Sequence, residues 1–313
     1  MIGIQRAVAT FPACAIFVAA IIACGGGNDA PASTPYGRAS PTPVPVPVSV
    51  ALVLPTDPQQ RPARTATPHV FVIVMENTGL DRALGSQPIA RLASANALAT
   101  NYRAVARPSL PNYLALTSGS TWGIADNGYH PLPAADLGTQ LTTAGVTWRA
   151  YMEGMTTEAG CMRSPYPYAL KHNPFAYYGG ACPTNVVPIE ALDADLEGVT
   201  PNFVWITPGL CHDGHDCAID VAGAWLDGLV SRIVSSDAWR SGGMLFIVWD
   251  EGDGGDSNIV PLILLTNDAT ATRIETQHDH YSLLATIQDV FGLPRLGAAA
   301  TARPLAQIAP QSR

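Results

Sequence analysis

Short apolar runs separated by helical patterns dominate the sequence between residues 68 and 297. The clearest run is Val70–Met75, six consecutive apolar residues that are mostly β-branched, which is typical of a strand buried on both faces. Three further runs repeat this pattern, at 202–207, 244–249 and 260–265. Residues 219–235 and 280–291 instead carry apolar side chains at helical spacing. This alternation predicts an α/β fold with a mostly parallel central sheet.

The two ends of the chain have a different composition. Residues 1–24 hold one basic residue and then an apolar run that ends just before Cys24, which predicts a lipoprotein-type signal peptide with Cys24 acylated. Ordinary signal-peptide cleavage, with Cys24 incidental, is the alternative. Residues 25–67 are rich in Pro, Ala and Gly and predict a linker that cannot bury a core. We therefore expect an exported cell-envelope lipoprotein, or a secreted protein, with one folded domain at 68–297 and a tail at 298–313.

Composition and charge exclude several classes of protein. Apolar residues make up 47% of the 313 residues, which excludes a disordered chain. The net charge is −8, with 25 acidic against 17 basic residues, and no basic cluster offers a surface for nucleic acid. Lys171 is the only lysine and lies in Leu-Lys-His, so the Gly-Lys-Ser/Thr end of a P-loop is missing. Neither a nucleic-acid partner nor a P-loop nucleotide site is expected.

Four cysteines follow the predicted signal peptide, and they allow three pairings. Closeness along the chain favours Cys161 with Cys182 and Cys211 with Cys217. Such bonds persist in an oxidising compartment, which agrees with export. The spacings match no CxxC zinc pattern, so we expect no structural zinc site.

Polar side chains follow three of the predicted strands at the point where each strand ends. Glu76-Asn77 follows the first, the segment 212–216 with Asp213 and His215 follows the second, and Asp250-Glu251 follows the third. Each taken singly has an ordinary explanation as turn chemistry or a solvated loop. The carboxyl ends of parallel strands meet at one edge of a sheet, however, and so many carboxylates there would repel one another without a cation. The pattern predicts a divalent cation between them.

A second segment with chemical potential is 107–113, Arg-Pro-Ser-Leu-Pro-Asn-Tyr. Ser109 suits the N-cap of a helix and Pro111 suits its first turn. The simplest interpretation is that Ser109 only caps the helix. The same geometry also favours an anion site, because a helix N-terminus presents free N–H groups to a phosphate. A serine hydroxyl beside a bound metal ion could then attack phosphorus.

These features occur together in a recognisable order. The segments concerned are 74–77 (Val-Met-Glu-Asn), 108–113 with 117–119, 171–175 (Lys-His-Asn-Pro-Phe), 212–216 (His-Asp-Gly-His-Asp), 249–252 (Trp-Asp-Glu-Gly) and 280–284 (His-Tyr-Ser-Leu-Leu). They resemble the successive signatures of the bacterial phosphoesterase family, which contains acid phosphatases and phosphatidylinositol-type phospholipases C. That family belongs to the alkaline phosphatase superfamily. The resemblance covers about residues 69–293 and implies a three-layer sandwich around the sheet.

The resemblance also implies a role for each matching residue. Ser109 would be the nucleophile that becomes transiently phosphorylated, and Asn112 would hold a phosphate oxygen. Lys171 and His172 match a pair that would meet the phosphate. Asp213, His215 and His280 match polar positions around the same site, and their choice between metal ligation and proton transfer stays open. The implied metal ligands are Glu76, Asn77, Asp250 and Glu251, with Asp213 as a further candidate, and the ion would be Mg, Mn, Ca or Zn.

Two positions depart from the pattern of many relatives. Leu80-Asp81 stands where Phe-Asp is common, and Arg107 stands where His often precedes Pro-Ser. Neither change removes a predicted ligand, but Arg107 adds a cation at the entry to the site.

The sequence thus predicts an exported, metal-dependent acid phosphatase that hydrolyses phosphomonoesters through a phosphoserine. Its substrate would be a small phosphorylated molecule or a phospholipid head group, and it would touch a membrane only through its lipid anchor. Two alternatives remain open: cleavage of phosphodiesters as in phospholipase C, and a surface lipoprotein that binds a ligand without turnover.

Overall fold

The computed structural model describes residues 67–254, 257–268 and 270–305. The predicted signal peptide, nearly all of the predicted linker and the last residues of the predicted tail lie outside the described residues. Within the described ranges, no helix has the length and apolar character needed to cross a membrane.

Strands and helices alternate along most of the described chain. The strands are β1 Val70–Met75, β2 Ala97–Arg103, β3 Trp148–Met152, β4 Val186–Pro188, β5 Phe203–Thr207, β6 Met244–Trp249, β7 Ile259–Thr266, β8 Thr272–Ile274 and β9 His278–Asp279. The helices are α1 Leu80–Gly85, α2 Gln87–Ala95, α3 Ser109–Ser118, α4 Leu137–Thr143, α5 Ala191–Glu197, α6 Ile219–Val234, α7 Asp237–Arg240 and α8 His280–Val290. Each of the four strands and two helices predicted from the apolar pattern is present, and its bounds differ from the prediction by one residue at most.

The strands form one sheet in the order β4-β3-β5-β1-β6-β7-β2-β8, with β9 beside β2. Strand β1 lies between β5 and β6 and is parallel to both, so that Ile73 pairs with Ile206 on one side and Ile247 on the other. Strand β7 alone among them runs antiparallel, to β6 and to β2. The connection from β6 to β7 is too short for the crossover helix that a parallel strand would need. The prediction of a mostly parallel sheet is confirmed.

Both faces of the sheet are covered. All residues of β1 and of β6 are buried, although neighbouring side chains in a strand point to opposite faces. Helices α1, α2, α5, α6 and α7 contact one another as one group, and α3, α4 and α8 form another group. The two groups pack on the two faces and give the predicted three-layer sandwich. Burial of each large apolar side chain of this core stabilises the fold by about 1.5–3 kcal/mol.

The packed unit continues beyond residue 297, where the tail was expected to begin. Leu305 is 2% exposed, and its backbone N–H donates to Thr286 Oγ1 on α8 at 2.8 Å. A turn at Gly297–Ala300 precedes it, with Ala299 fully buried. Residues 298–305 therefore pack onto α8 instead of leaving the domain.

The two predicted disulfides are confirmed. Cys161 and Cys182 are joined across the irregular stretch between β3 and β4, with their Cα atoms 5.9 Å apart. Cys211 and Cys217 close a short loop after β5, with a Cα separation of 4.7 Å. The first bond encloses Lys171 and His172, and the second encloses Asp213 and His215. Both disulfides therefore constrain segments that carry predicted site residues.

Candidate active site

Glu76 lies at the centre of the candidate site because it directly follows the central strand β1. Its carboxylate is completely buried. Oε2 of this carboxylate accepts a hydrogen bond from Ser109 Oγ at 3.0 Å and lies 3.1 Å from Nε2 of His172. Its backbone N–H donates to the carbonyl of Asp213 at 2.8 Å. One residue thus joins the ends of β1 and β5 to the start of α3.

Ser109 occupies a different helix position from the one that the sequence predicted. Helix α3 begins at Ser109 itself, and Pro108 takes the N-cap position. The Ser109 hydroxyl therefore caps nothing and faces Glu76, with Glu251 Oε1 at 3.5 Å as a second acceptor. A hydrogen bond to an ionised carboxylate is stronger than one to a backbone amide, which explains why the hydroxyl turns away from the helix.

Asn112 binds the loop that leads into α3. Its Oδ1 accepts from the backbone N–H groups of Val105 and Ala106 at 3.1 and 2.9 Å. Its Nδ2 donates to the carbonyls of Ala106 and Pro108 at 3.0 and 3.2 Å. Both ends of the carboxamide are thus occupied by backbone groups, and Asn112 fixes the path of the chain up to Ser109. The predicted contact between Asn112 and a phosphate oxygen stays a prediction.

His172 forms a buried ion pair with Glu76. The imidazole is 1% exposed, stacks on the Tyr113 ring at 5.2 Å, and has Nδ1 3.4 Å from Asp213 Oδ2. Burial lowers the pKa of His172, but the carboxylates of Glu76 and Asp213 outweigh it and raise the pKa. Burial likewise raises the pKa of Glu76, but the positive charge on His172 outweighs it and lowers this pKa to about 2. Glu76 is therefore ionised, and the raised pKa of His172 favours the protonated imidazole beside it.

The remaining carboxyl groups hold their protons more tightly. Burial and the charge of Glu76 raise the pKa of Asp250 well above its usual range and that of Glu251 to about 7. Burial also raises the pKa of Asp213, against the effect of His172. The Asp250 side chain accepts from the backbone N–H of Asn77 at 3.1 Å. The buried His172 imidazole thus lies among four carboxyl groups, and a divalent cation among them would lower the raised pKa values and stabilise the ionised forms.

The donor chemistry of these groups fits the predicted divalent ion. Glu76 Oε1, Asp250 Oδ2 and Glu251 Oε2 are buried and have no hydrogen-bond partner. Carboxylate oxygens are the ligands that Mg²⁺, Mn²⁺ and Ca²⁺ prefer. As the side chains stand, no group of three or more His, Cys, Asp or Glu residues in the described ranges is arranged to hold a metal ion. The residues therefore fit such an ion by their oxygen donors and by the number of carboxyl groups. As they stand, their side chains do not form a complete coordination shell.

His280 has both ring nitrogens engaged within the protein. Nε2 lies 2.7 Å from the carbonyl oxygen of Asp250, and Nδ1 lies 3.0 Å from the hydroxyl of Tyr102. A carbonyl can only accept, so Nε2 carries the hydrogen and Nδ1 accepts from Tyr102. Burial lowers the pKa of His280 to about 4, which keeps the ring neutral. In this arrangement His280 positions the backbone of Asp250 and has no nitrogen free for a metal ion or a substrate.

Lys171 and His215 lie at the mouth of the site. Lys171 Nζ donates to His215 Nε2 at 3.2 Å, and His215 Nδ1 lies 2.7 Å from Asp216 Oδ1. The backbone N–H of His215 donates to Asp213 Oδ1 at 2.7 Å, which ties this pair to the buried groups. The rings of His215 and His172 are 6.0 Å apart. A hydrogen-bonded lysine–histidine pair therefore lies beside the buried ion pair and is partly exposed to solvent.

The two positions that depart from the resemblance lie beside the site. Arg107 Nη2 donates to the carbonyl of Gly252 at 3.4 Å. Arg107 and Asp81 both line a cavity of about 350 Å³ that also borders Gly252 and Asn258. This cavity is a neighbour of the Ser109 centre rather than the centre itself.

Two neighbours of Ser109 were not predicted. Tyr113 lies one helical turn after Ser109 and stacks on His172, and this spacing along α3 could have indicated it. Asn127 lies in the loop after α3, and its Oδ1 accepts from the backbone N–H of Leu110 at 3.1 Å. No periodicity marks a loop residue, so the sequence alone offered no signal for Asn127.

Comparison with known proteins identifies the family of this chain. The sequence matches the Phosphoesterase family over residues 87–294, which is more than half of the chain. The chain belongs to this family. A probable acid phosphatase of Kluyveromyces lactis is 30% identical, and the match covers 72% of this chain and 59% of that protein. A phosphatidylinositol-3-phosphatase of Mycobacterium tuberculosis is 30% identical over 80% of this chain and 87% of its own length.

Solved structures share the fold of this phosphoesterase. A protein of the alkaline phosphatase superfamily from Vibrio parahaemolyticus superposes with a TM-score of 0.58 at 10% identity, over 77% of this chain and 70% of its own. The phosphonate monoester hydrolase of Silicibacter pomeroyi gives a TM-score of 0.51 at 10% identity, over 79% and 78% of the two chains. At this identity the likeness concerns the fold alone, and it confirms the alkaline-phosphatase-like architecture.

Gly214 lies against the backbone of Glu76 and offers a test of this site. It has a φ of +99°, and a Cβ there would lie 3.3 Å from the Glu76 carbonyl oxygen. Gly242 has a φ of +97° with no atom within 4 Å of the same position. We expect Gly214→Ala and Gly242→Ala each to lower the free energy of unfolding by about 1 kcal/mol or more, and the contact with Glu76 should make the loss larger for Gly214→Ala. Only Gly214→Ala should also reduce phosphatase turnover, by about tenfold or more, because it displaces Glu76.

Denaturant unfolding and steady-state kinetics of both variants check this expectation. Equal activity of the two alanine variants would contradict a central role for the Glu76 backbone position.

Proposed function

We propose that this phosphoesterase is an exported phosphatase of the acid-phosphatase type, which hydrolyses phosphomonoesters through a phosphoserine at Ser109. The observation that carries the proposal is the environment of Ser109. Ser109 is 1% exposed, and its hydroxyl is hydrogen-bonded to an ionised carboxylate at the carboxyl edge of the sheet. Two relatives, a probable acid phosphatase and a phosphatidylinositol-3-phosphatase, support the same reaction class.

The nucleophilic step begins from the hydrogen bond between Ser109 and Glu76. A neutral hydroxyl attacks phosphorus poorly and needs an acceptor for its proton. Glu76 Oε2, 3.0 Å away, is that acceptor, and His172 keeps it ionised. As the bond from Ser109 Oγ to phosphorus forms, the bond from phosphorus to the ester oxygen breaks and the alcohol leaves. Water then attacks phosphorus and the bond from phosphorus to Ser109 Oγ breaks. The proton held by Glu76 returns to the serine oxygen, a proton of the water returns to the Lys171–His215 pair, and phosphate leaves.

The leaving oxygen needs a proton, and the pair at the mouth of the site can supply it. His280 has no free nitrogen, and His172 is buried and holds Glu76. Lys171 and His215 are bonded to each other and open to solvent. We assign proton delivery to this pair, since a group at the mouth meets the departing alcohol and can be recharged from water.

The proposed metal ligands are Glu76, Asn77, Asp250 and Glu251, with Asp213 as a further candidate. A divalent cation held there would stabilise negative charge on the serine oxygen and on the phosphoryl group. The unpartnered oxygens of Glu76, Asp250 and Glu251 support this assignment. Oxygen ligands favour Mg²⁺, Mn²⁺ or Ca²⁺, and Zn²⁺ becomes the better candidate if a histidine joins them.

Export is supported by the two disulfides, because such bonds persist in oxidising compartments. Acylation of Cys24 belongs to the same proposal and rests on the sequence before it. A lipid at Cys24 would hold the domain at the cell envelope by the linker 25–67, and plain cleavage would release it.

Ser109→Ala is expected to lower kcat by at least about a hundredfold, since it removes the group that attacks phosphorus. Acid-quenched wild-type protein should carry ³²P from a labelled phosphomonoester, and the variant should carry none. Ser86→Ala is the matched control, because Ser86 is also fully buried and its hydroxyl has no hydrogen-bond partner. The control should keep both activity and labelling. Near-normal turnover by a folded Ser109→Ala protein would falsify the assignment.

His215→Asn is expected to slow hydrolysis in a way that depends on the leaving group. An alkoxide needs a proton as it leaves, whereas p-nitrophenolate is stable without one. The rate with glycerol phosphate should therefore fall by about tenfold or more, beyond any fall with p-nitrophenyl phosphate. His69→Asn, before β1 at the opposite edge of the sheet, is the control. An equal loss with both substrates would exclude proton delivery by His215.

Removal of divalent metal should abolish turnover, and one of Mg²⁺, Mn²⁺, Ca²⁺ or Zn²⁺ should restore it. Asp250→Asn should weaken binding of Mn²⁺ measured by calorimetry, because it removes a buried carboxylate of the proposed ligand set. Asp136→Asn is the control, since Asp136 is also buried but caps α4. Full activity of a preparation shown by elemental analysis to be metal-free would refute the metal proposal.

The same metal-restored protein separates the alternative functions. A panel of phosphomonoesters and phosphodiesters distinguishes phosphatase from phospholipase C-type activity. Binding of phosphate without turnover of either class would instead support a surface-binding lipoprotein.

A further inference from the structure

The amino end of α3 has an unusually small set of backbone donors. The first four residues of a helix normally offer four free N–H groups. Pro111 is the third residue of α3 and has none, and Pro108 at the N-cap also lacks one. Only Ser109, Leu110 and Asn112 can donate from this turn. A phosphoryl group at Ser109 would therefore find fewer backbone partners than a helix N-terminus usually provides.

Asn127 reaches this turn from outside the helix. Its Oδ1 accepts from the N–H of Leu110 at 3.1 Å, one residue after Ser109. Its Nδ2 makes no hydrogen bond with any group in the described part of the chain, and the residue is exposed. The bond to Leu110 fixes the plane of the carboxamide, so its two N–H donors are held near the amino end of α3.

The loop that carries Asn127 is held on both sides. Asp126 Oδ1 accepts from Gly128 N–H at 2.7 Å and lies 2.7 Å from His130 Nε2. The Tyr129 ring packs on Tyr177 at a centroid distance of 5.2 Å.

On the other side, Trp122 Nε1 donates to Ser118 Oγ at the end of α3, at 2.9 Å. The loop therefore presents Asn127 at a defined place, although the side chain itself is exposed.

The electrostatics of the site call for such a donor. The Ser109 hydroxyl faces the carboxylates of Glu76 and Glu251, and Glu251 Oε2 is buried without a hydrogen-bond partner. A phosphoryl group meeting Ser109 approaches this negative charge and needs donors on its other side. Asn112 cannot supply them as it stands, because backbone groups occupy both ends of its carboxamide.

We propose that Asn127 is a further substrate-binding residue, whose Nδ2 donates to an oxygen of the phosphoryl group attacked by Ser109. This role rests on the proposed phosphatase function. It adds a phosphate contact to the one that the family resemblance implies for Asn112. The Oδ1 of Asn127 stays on Leu110 N–H, so binding needs no rearrangement of the loop.

Asn127→Asp tests the proposal, because it keeps the oxygen that accepts from Leu110 and replaces the donors by a charged oxygen. We expect kcat/KM for p-nitrophenyl phosphate to fall by about a hundredfold, the usual effect of losing one preorganised donor. The Kd for inorganic phosphate, measured by calorimetry, should rise in parallel. Asn127→Ala should also lower kcat/KM and raise the Kd for phosphate, although it adds no charge. Asn185→Asp is the matched control, since Asn185 precedes β4 at the opposite edge of the sheet.

The two measurements separate this inference from the proposed function. If the wild type turns over phosphomonoesters but Asn127→Asp and Asn127→Ala, both folded by near-UV circular dichroism, keep normal kcat/KM and phosphate affinity, the role of Asn127 is overturned. If the wild type binds phosphate without turnover and both variants lose that binding, the binding role stands and the proposed function fails. Loss in the Asn185→Asp control of the same size would also overturn the proposal.

Discussion

A buried ion pair between Glu76 and His172 is the constraint on which the rest of the site depends. Moving a carboxylate from water into a protein interior costs several kcal/mol unless a partner compensates it. Glu76 directly follows the central strand, where both faces of the sheet are covered, and it is completely buried. His172 is that partner, at 3.1 Å, and it comes from a segment that joins β3 to β4. The pair can form only if this segment folds over the sheet edge, which the Cys161–Cys182 bond favours.

The ionised state of Glu76 has opposite consequences for its neighbours. Its negative charge attracts the Ser109 hydroxyl away from a capping position and raises the pKa of His172. The same charge raises the pKa of Asp250 and of Glu251. An acceptor for a nucleophile and a set of carboxyl groups suited to a cation thus arise from one buried charge. The hydrogen bond from His280 Nε2 to the Asp250 carbonyl holds the backbone of Asp250 in place.

Much of the fold followed from local patterns. Continuous apolar runs are required of strands covered on both faces, so β1 and β6 could be located to the residue. The antiparallel direction of β7 could not be predicted from its apolar run, because residues 260–265 would look the same in either direction. Only the short connection from β6 decides the direction. The nearest-neighbour disulfide pairings were also predictable, since short loops close most readily.

The candidate site, like the fold, was predictable in part from local patterns. The sequence determined which residue types stand at the strand ends, because Glu76, Asp213 and Asp250 each follow a recognisable strand or motif, and it therefore predicted that they would meet at one edge. Only the tertiary structure decided what each side chain does there. It turned Ser109 from cap to hydrogen-bond donor, engaged both ends of Asn112 and of His280, and brought Asn127 to Leu110. These outcomes depend on distances between segments far apart in the chain, and hydrogen bonding is directional and short-ranged, so no local pattern carries them.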